Sequence, residues 1–220
     1  RNASAFPFPI QYEIATGVDI LALVSEDDKS PCLQPIQDAA KKLERLGCRA
    51  IAAECGYFAY FQKEIADHVG VPVFMSSLLQ VPWAQQLIGP DRLVGLFASS
   101  KGDVTARHLE SVGIRPNSNY VLGGIEEYGP SPQFDNLWLE SVRPDPPEAY
   151  YDRAEQEFLA VATQFYRDYP SMGAIVLECT GMQPFARSLQ REIDIPVFSW
   201  GTLLDYAYSV TVHRDYYGHV

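Results

Sequence analysis

The sequence predicts an α/β protein built from two similar halves. Two observations lead to this prediction: short, almost continuously apolar runs alternate with amphipathic stretches, and one such unit occurs twice. Strands that are apolar along their whole length are typical of a parallel sheet covered on both faces. We therefore expect two pseudo-symmetric halves, each a mostly parallel sheet flanked by helices, with a cleft between them.

The N-terminal half is expected to span residues 1–91. Glycines that follow amphipathic stretches mark the ends of its helices. Its elements are expected in this order: a strand DILALVS from Asp19, a helix over 35–46, a strand CRAIAAE, a helix ended by Gly70, a strand VPVFM, and a helix SSLLQVPWAQQLIG capped by Ser76 or Ser77. Symmetry with the second half predicts a further strand upstream of Arg1.

The C-terminal half is expected to span residues 92–220. Its long irregular stretch, 123–147, contains Tyr128 and Trp138, and is a candidate lid, buried segment or dimer contact. The other elements follow in this order: strand RLVGLFAS, a helix ended by Gly113, strand NYVLG, a helix over 148–169, strand AIVLE, a helix, strand IPVFSW, and a last helix over 202–213, a candidate to pack back on the N-terminal half.

Composition and charge exclude several classes of function. The net charge of −11 and the pI of about 4.7 argue against a nucleic-acid partner, which requires a basic surface. No apolar run approaches the roughly 18 residues that span a bilayer, so no membrane partner is expected. Four cysteines without a CxxC pair indicate reduced thiols and a cytoplasmic location. Neither a Walker A nor a GxGxxG motif is present, and no lysine lies in the repeated motif, so no cofactor is expected.

The repeat is the most informative feature. "AIAAECGYF" begins at Ala50 and "AIVLECTGM" at Ala174, which places Cys55 and Cys179 at the same point, 124 residues apart. The same offset superposes the PVF triplets at 72–74 and 196–198. Two α/β units that share a register over about 25 residues indicate a pseudo-twofold relation.

The position of each cysteine points to acid–base chemistry. Both follow a strand and precede a helix, so each lies at the carboxyl end of the sheet, where ligands bind, and beside helix N–H groups that favour a thiolate. Two thiols facing each other across a small substrate suit inversion of a stereocentre, because one removes a proton and the other returns it. Cys32 and Cys48 have no symmetric partner and are expected to be structural.

The segments "ECGYFAYFQ…VPVFMSSLLQVP" and "VLECTGMQPFARSL…IPVFSW" resemble the aspartate/glutamate racemase superfamily, which includes hydantoin racemase and maleate isomerase. The resemblance implies two flavodoxin-like halves with the active site between them. It implies that Cys55 and Cys179 are the catalytic acid–bases, and that the protein forms a homodimer. It also implies a small carboxylate-bearing substrate held by the amides after each cysteine and nearby hydroxyls. The substrate-binding candidates are Gly56, Tyr57, Ser76, Ser99, Thr180 and Gly181. Glu54, Gly56 and Gly181 depart from the family pattern, which leaves the substrate open.

Several functions remain open at this point. The first is an isomerase: a cofactor-independent racemase or epimerase for an amino acid such as aspartate or glutamate, or for a hydantoin. The second group comprises a cis–trans isomerase of the maleate type and a decarboxylase of the arylmalonate type that uses Cys179 alone. The third is a catalytically inactive protein that binds a small acid. For Glu54 and Glu178, alternation directs the side chains away from the cysteines, which favours hydrogen bonding to a neighbouring loop over tuning of the thiols.

Overall fold

The computed structural model describes residues 3–138, 144–215 and 218. Its strands are β1 Ile51–Ala52, β2 Val73–Phe74, β3 Leu93–Ala98, β4 Tyr120–Gly124, β5 Met172–Leu177 and β6 Val197–Phe198. Its α-helices are α1 Ile20–Val24, α2 Ser30–Arg45, α3 Gln62–His68, α4 Val81–Ile88, α5 Ala106–Ser111, α6 Pro132–Trp138, α7 Tyr151–Asp168, α8 Ala186–Ile193 and α9 Trp200–Thr211. Short 3₁₀ helices occupy Ala3–Ala5, Gly56–Phe61, Ser77–Gln80, Ile125–Glu127 and Thr180–Phe185.

The described strands form two parallel sheets. β1 pairs with β2, and the larger sheet has the order β4-β3-β5-β6, with every neighbouring pair parallel. Helices separate consecutive strands along the chain, as parallel pairing requires. The predicted α/β class with parallel sheets flanked by helices is therefore confirmed.

The repeat seen in the sequence is also present in the structure. The 3₁₀ helices Gly56–Phe61 and Thr180–Phe185 lie 124 residues apart at both ends, as do β2 and β6. Strand pairing follows the same offset, because Ile51 pairs with Val73 and Ile175 pairs with Val197. The two halves thus share backbone geometry as well as residue pattern.

One face of the larger sheet packs against the N-terminal half. Alternate residues of β3 and β5, including Val94, Leu96, Ala174 and Val176, belong to the same buried cluster as Phe61 of the N-terminal half. The opposite face packs against α7 and α8 through Phe97, Phe158, Phe165, Ile175, Leu177 and Leu189. The two halves therefore share one apolar core at the face that leads to the cysteines.

The last helix contacts both halves. Tyr206 on α9 lies edge-on to Phe74 of β2 and also contacts Trp83 of α4, and Tyr208 stacks on Phe8 with ring centroids 4.3 Å apart. These aromatic contacts join the end of the chain to N-terminal residues.

One predicted strand is wrong. The run DILALVS forms α1, a short helix, because the Asp19 side chain accepts hydrogen bonds from the backbone N–H groups of Leu21 (2.7 Å) and Ala22 (3.2 Å). An aspartate in this position caps a helix and satisfies its first free donors. The apolar run alone favoured a strand, and the cap decided the outcome.

The predicted long loop lies partly within the described residues. It contains the 3₁₀ turn Ile125–Glu127 and the helix α6, whereas 139–143 lie outside the described residues, as does the Trp138 side chain. Across the described part of the chain, each helix is too short or too polar to span a bilayer.

Candidate active site

Cys55 and Cys179 occupy equivalent places in the two halves. Each has an extended backbone and lies at the carboxyl end of its strand region, immediately before a 3₁₀ helix. The prediction that a helix N-terminus follows each cysteine holds, with a 3₁₀ turn leading into α3 or α8. Free N–H groups of these turns therefore surround both thiols.

The environment of both thiols raises their pKa and so favours the protonated form. Burial raises the pKa of the Cys55 thiol to about 12, and the Glu178 carboxylate adds to the rise, while the Tyr57 backbone N–H acts in the opposite direction. Burial also raises the pKa of Cys179 well above its ordinary value, assisted by Glu178 and by Cys55 itself. The helix N–H groups lower the pKa of both thiols, which is the predicted direction, but burial and a nearby carboxylate outweigh them.

Glu178 lies between the two halves. Alternation along β5 directs Ala174 and Val176 toward the N-terminal half, and Glu178 continues that series. Its side chain is 1% exposed, and Oε2 accepts a hydrogen bond from the Ser99 backbone N–H at 3.4 Å. The predicted hydrogen bond to a neighbouring loop is present, but the same carboxylate also acts electrostatically on both thiols.

Gly56 and Tyr57 follow the first cysteine and are both buried. A Cβ at Gly56 would collide with the Glu178 side chain and would lie 2.5 Å from the Glu178 carbonyl oxygen, so the close approach requires glycine. The Tyr57 hydroxyl lies 3.0 Å from Ser99 Oγ and donates to the Ser100 carbonyl at 3.2 Å. Burial raises the pKa of Tyr57, so its hydroxyl is a neutral hydrogen-bonding group.

The remaining predicted binding residues have partners within the protein. Ser76 is buried and caps the following 3₁₀ helix by accepting a bond from the Leu78 N–H at 3.2 Å. Thr180 Oγ1 donates to the Glu54 carbonyl at 3.1 Å, which joins one cysteine motif to the other. The Gly181 backbone N–H faces the Cys179 thiol and lowers its pKa. The structure thus brings Thr180 and Gly181 to the cysteines, and assigns Ser76 a capping role.

Several polar contacts across the halves were missed in the sequence. The Ser77 hydroxyl donates to the Leu177 carbonyl at 2.7 Å and approaches the Glu178 carbonyl at 3.2 Å. The Trp200 indole N–H donates to the Ala53 carbonyl at 2.8 Å. Both residues follow the repeated PVF triplets, so the repeat was the signal that marked these segments. They fix the main chain on either side of the thiols.

The described residues offer no metal site at this location. No group of three or more His, Cys, Asp or Glu side chains suited to a metal ion occurs in the described ranges. One surface pocket, lined by Gln190, Arg191, Asp194, Ile195 and Pro196, lies at the opposite end of β6 from the cysteines and contains none of the motif residues.

Solved structures share this architecture at low sequence identity. Arylmalonate decarboxylase matches with a TM-score of 0.59 and 13% identity, over 85% of this chain and 79% of that one. An aspartate racemase homologue from Pyrococcus horikoshii matches with a TM-score of 0.53 and 20% identity, over 83% and 77%. The chain has the fold of the Asp/Glu/hydantoin racemase superfamily. The resemblance predicted from the two cysteine motifs is thereby confirmed at the level of this racemase-superfamily fold.

Curated relatives match over most of the chain. A dimethylsulfoniopropionate lyase from Durusdinium sp. clade D is 26% identical over 205 residues, which cover 90% of this chain and 64% of the relative. Dimethylsulfoniopropionate lyase 6 from Emiliania huxleyi is 26% identical over 207 residues, covering 90% of this chain and 51% of the relative. The chain spans between about half and two thirds of the length of these two relatives. No protein-family model matches the chain.

These relatives overturn the predicted reaction. The sequence predicted an isomerase of the racemase type, but the curated relatives are named lyases, and racemases occur only among distant structural neighbours. The prediction of a racemase or other isomerase is therefore wrong. The error has a physical reason: a fold and a pair of cysteines do not determine the reaction, because one scaffold supports several chemistries.

Proposed function

We propose that the protein cleaves dimethylsulfoniopropionate, or a closely related sulfonium carboxylate, by β-elimination. The observation that supports this proposal is the similarity to dimethylsulfoniopropionate lyases over 90% of the chain. In this substrate, a carboxylate and a dimethylsulfonium group lie on adjacent carbons. The carbon beside the carboxylate carries the proton to be removed, as in the reactions of racemases.

The proposed reaction needs one base. A thiolate at Cys55 or Cys179 removes a proton from the carbon beside the carboxylate. The electrons of that C–H bond form the C=C bond, and the C–S bond breaks with its electron pair moving to sulfur. The products are acrylate, neutral dimethyl sulfide and a thiol, which returns its proton to water. Because dimethyl sulfide leaves without a proton, no second acid is required.

The proposed substrate carboxylate is held by groups beside the cysteines. Backbone N–H groups at the start of each 3₁₀ helix, at Gly56, Tyr57 and Gly181, are donors of the kind that bind carboxylates. The Ser99 hydroxyl is an additional donor. Thr180 holds the two cysteine motifs together through its bond to the Glu54 carbonyl, and Ser76 supports the turn after β2. These contacts also stabilise the enediolate that forms when the proton leaves.

The experiment is turnover of dimethylsulfoniopropionate by the purified, reduced protein. Dimethyl sulfide is measured by headspace gas chromatography and acrylate by proton NMR, and equal amounts of both are expected. Cys55→Ser and Cys179→Ser identify the base, whose loss should lower the rate on the order of 10²–10⁴-fold. Cys48→Ser is the matched control, because Cys48 precedes β1 and lies at the opposite end of that strand from Cys55. A folded wild-type protein that releases no dimethyl sulfide would refute the proposal, as would full activity in both active-site variants.

Other features of the proposed enzyme come from the sequence. We propose a boundary between the halves near residue 91, a homodimer, and a cytoplasmic location. The location is supported by the four cysteines, which are free thiols. Size-exclusion chromatography with light scattering tests the dimer.

A further inference from the structure

Glu178 is a buried carboxylate with an unused oxygen. Its side chain is 1% exposed, and Oε1 has no hydrogen-bond partner among the described residues. Ser99 provides the hydrogen bonds to the carboxyl group, and its backbone N–H lies 3.4 Å from Oε2. A buried charged group without partners is costly, so such groups in native proteins call for an explanation. The unused Oε1 atom lies at the candidate active site, so a bound ligand would provide its missing partner.

The charged side chain that shifts the pKa of Glu178 among the described residues is another carboxylate. This residue is Asp103, and burial is the largest cause of the rise to about 7. The Glu178 carboxylate in turn raises the pKa of Cys55 and Cys179. The site therefore combines a carboxylate with two thiols that must ionise to act, and among the described residues no cation lowers the pKa of that carboxylate.

The Glu178 side chain packs against the backbone that follows the first cysteine. The space that a Cβ of Gly56 would fill holds its Oε1 atom. Ser99 links the other oxygen to the Tyr57 hydroxyl, because its N–H donates to Oε2 and its Oγ lies 3.0 Å from that hydroxyl. A buried carboxylate with an unused oxygen suits a sulfonium or quaternary ammonium group, because opposite charges attract strongly where water is excluded.

Building on the proposed elimination, we propose that Glu178 is the counter-charge for the dimethylsulfonium group of the substrate and determines the specificity for onium carboxylates. The substrate cation supplies a positive charge beside this carboxylate. Its arrival offsets the repulsion between Glu178 and a thiolate, so a base forms at Cys55 or Cys179 when the cation is bound. A carboxylic acid of the same size that carries no cationic group, or that carries a second carboxylate, does not offset this repulsion.

Two non-reacting ligands of the same shape test the charge directly. 3-(Trimethylammonio)propionate carries a permanent cation, and 4,4-dimethylpentanoate replaces its nitrogen with carbon. Calorimetry on the wild type should show at least about tenfold tighter binding of the ammonium compound, because an opposite charge in a buried site favours only that ligand. In Glu178→Gln, which keeps the shape and removes the charge, the two affinities should agree within about threefold.

Two further variants make the result specific to Glu178. Glu54→Gln removes the same charge from the equivalent position of the first motif, and should keep the preference for the ammonium ligand. Glu178→Asp retains the charge on a shorter side chain and should keep a smaller preference for the ammonium ligand. This variant provides a readout if Glu178→Gln does not fold. Thermal unfolding of each variant confirms that a folded protein is compared.

The outcomes separate this inference from the proposed function. A wild type that releases dimethyl sulfide while Glu178→Gln retains the full tenfold preference overturns the assignment of Glu178 alone. Equal binding of both ligands by a wild type that turns over the sulfonium substrate also overturns it. A wild type that neither cleaves the sulfonium compound nor prefers the ammonium ligand overturns the proposed function together with the inference.

Discussion

The contact between Gly56 and Glu178 predicts a strong effect of adding one methyl group. In Gly56→Ala, the new Cβ would collide with Glu178 Oε1 and would lie 2.5 Å from the Glu178 carbonyl oxygen. Rotation of the Glu178 side chain relieves the first contact, but the second is with the main chain of a strand end. The backbone of one cysteine motif must therefore move away from the other.

The expected cost follows from the energetics of overpacking. Forcing an extra carbon into a packed site costs about 1–3 kcal/mol, which for a protein of this size lowers the melting temperature by roughly 2–12 °C. Activity should fall more steeply than stability, because the displaced segment carries Cys55 and the N–H groups proposed to hold the substrate.

Chemical unfolding in urea and turnover of dimethylsulfoniopropionate measure the two effects. Gly102→Ala is the matched control: its Cβ meets no atom within 4 Å, so the unfolding free energy and the rate should stay near the wild-type values. If Gly56→Ala has the stability and activity of Gly102→Ala, then Glu178 does not pack against Gly56. The reasoning that places the carboxylate between the cysteines would then be refuted.

Two more predictions concern the same region. First, burial raises the pKa of Glu178 from 4.5 to about 7, so between these pH values the folded state holds a proton that the unfolded state has lost. The unfolding free energy should therefore fall by about 3 kcal/mol as pH rises from 4.5 to above 7. Urea titrations of the wild type and Glu178→Gln at several pH values check this, and an equal dependence of the unfolding free energy on pH in both proteins would contradict it. Second, Ser77→Ala removes the hydroxyl that bonds the Leu177 carbonyl at 2.7 Å and should cost about 1 kcal/mol, whereas Ser118→Ala, at an exposed turn, should cost less than about 0.5 kcal/mol.

The repeat made much of the fold predictable. An offset of 124 residues places Cys55 on Cys179 and the two PVF triplets on each other, and the structure repeats the same offset in its 3₁₀ helices and in the pairing of β1 with β2 and of β5 with β6. Apolar periodicity within one unit is ambiguous, but a pattern that occurs twice in the same register is not easily produced by composition alone.

Local and electrostatic details were less predictable. The helix α1 depended on one aspartate cap, which competed with an apolar run that resembles a strand. The ionisation of the thiols depended on burial and on Glu178, and neither quantity is visible in a sequence, where only the helix N-terminus could be inferred. Errors of both kinds arise where a single side chain or the packing around it outweighs the general pattern.

The reaction was the part that the motif could not decide, and the charge of the site offers a reason. Racemisation, decarboxylation and elimination all begin at a carbon beside a carboxylate, so paired cysteines and N–H donors are compatible with each. They differ in what else the substrate carries. A dicarboxylic amino acid would bring a second anion toward Glu178, whereas an onium carboxylate brings a cation to the carboxylate that has an unused oxygen. The residue immediately before the second cysteine therefore distinguishes between substrates that the cysteines themselves treat alike.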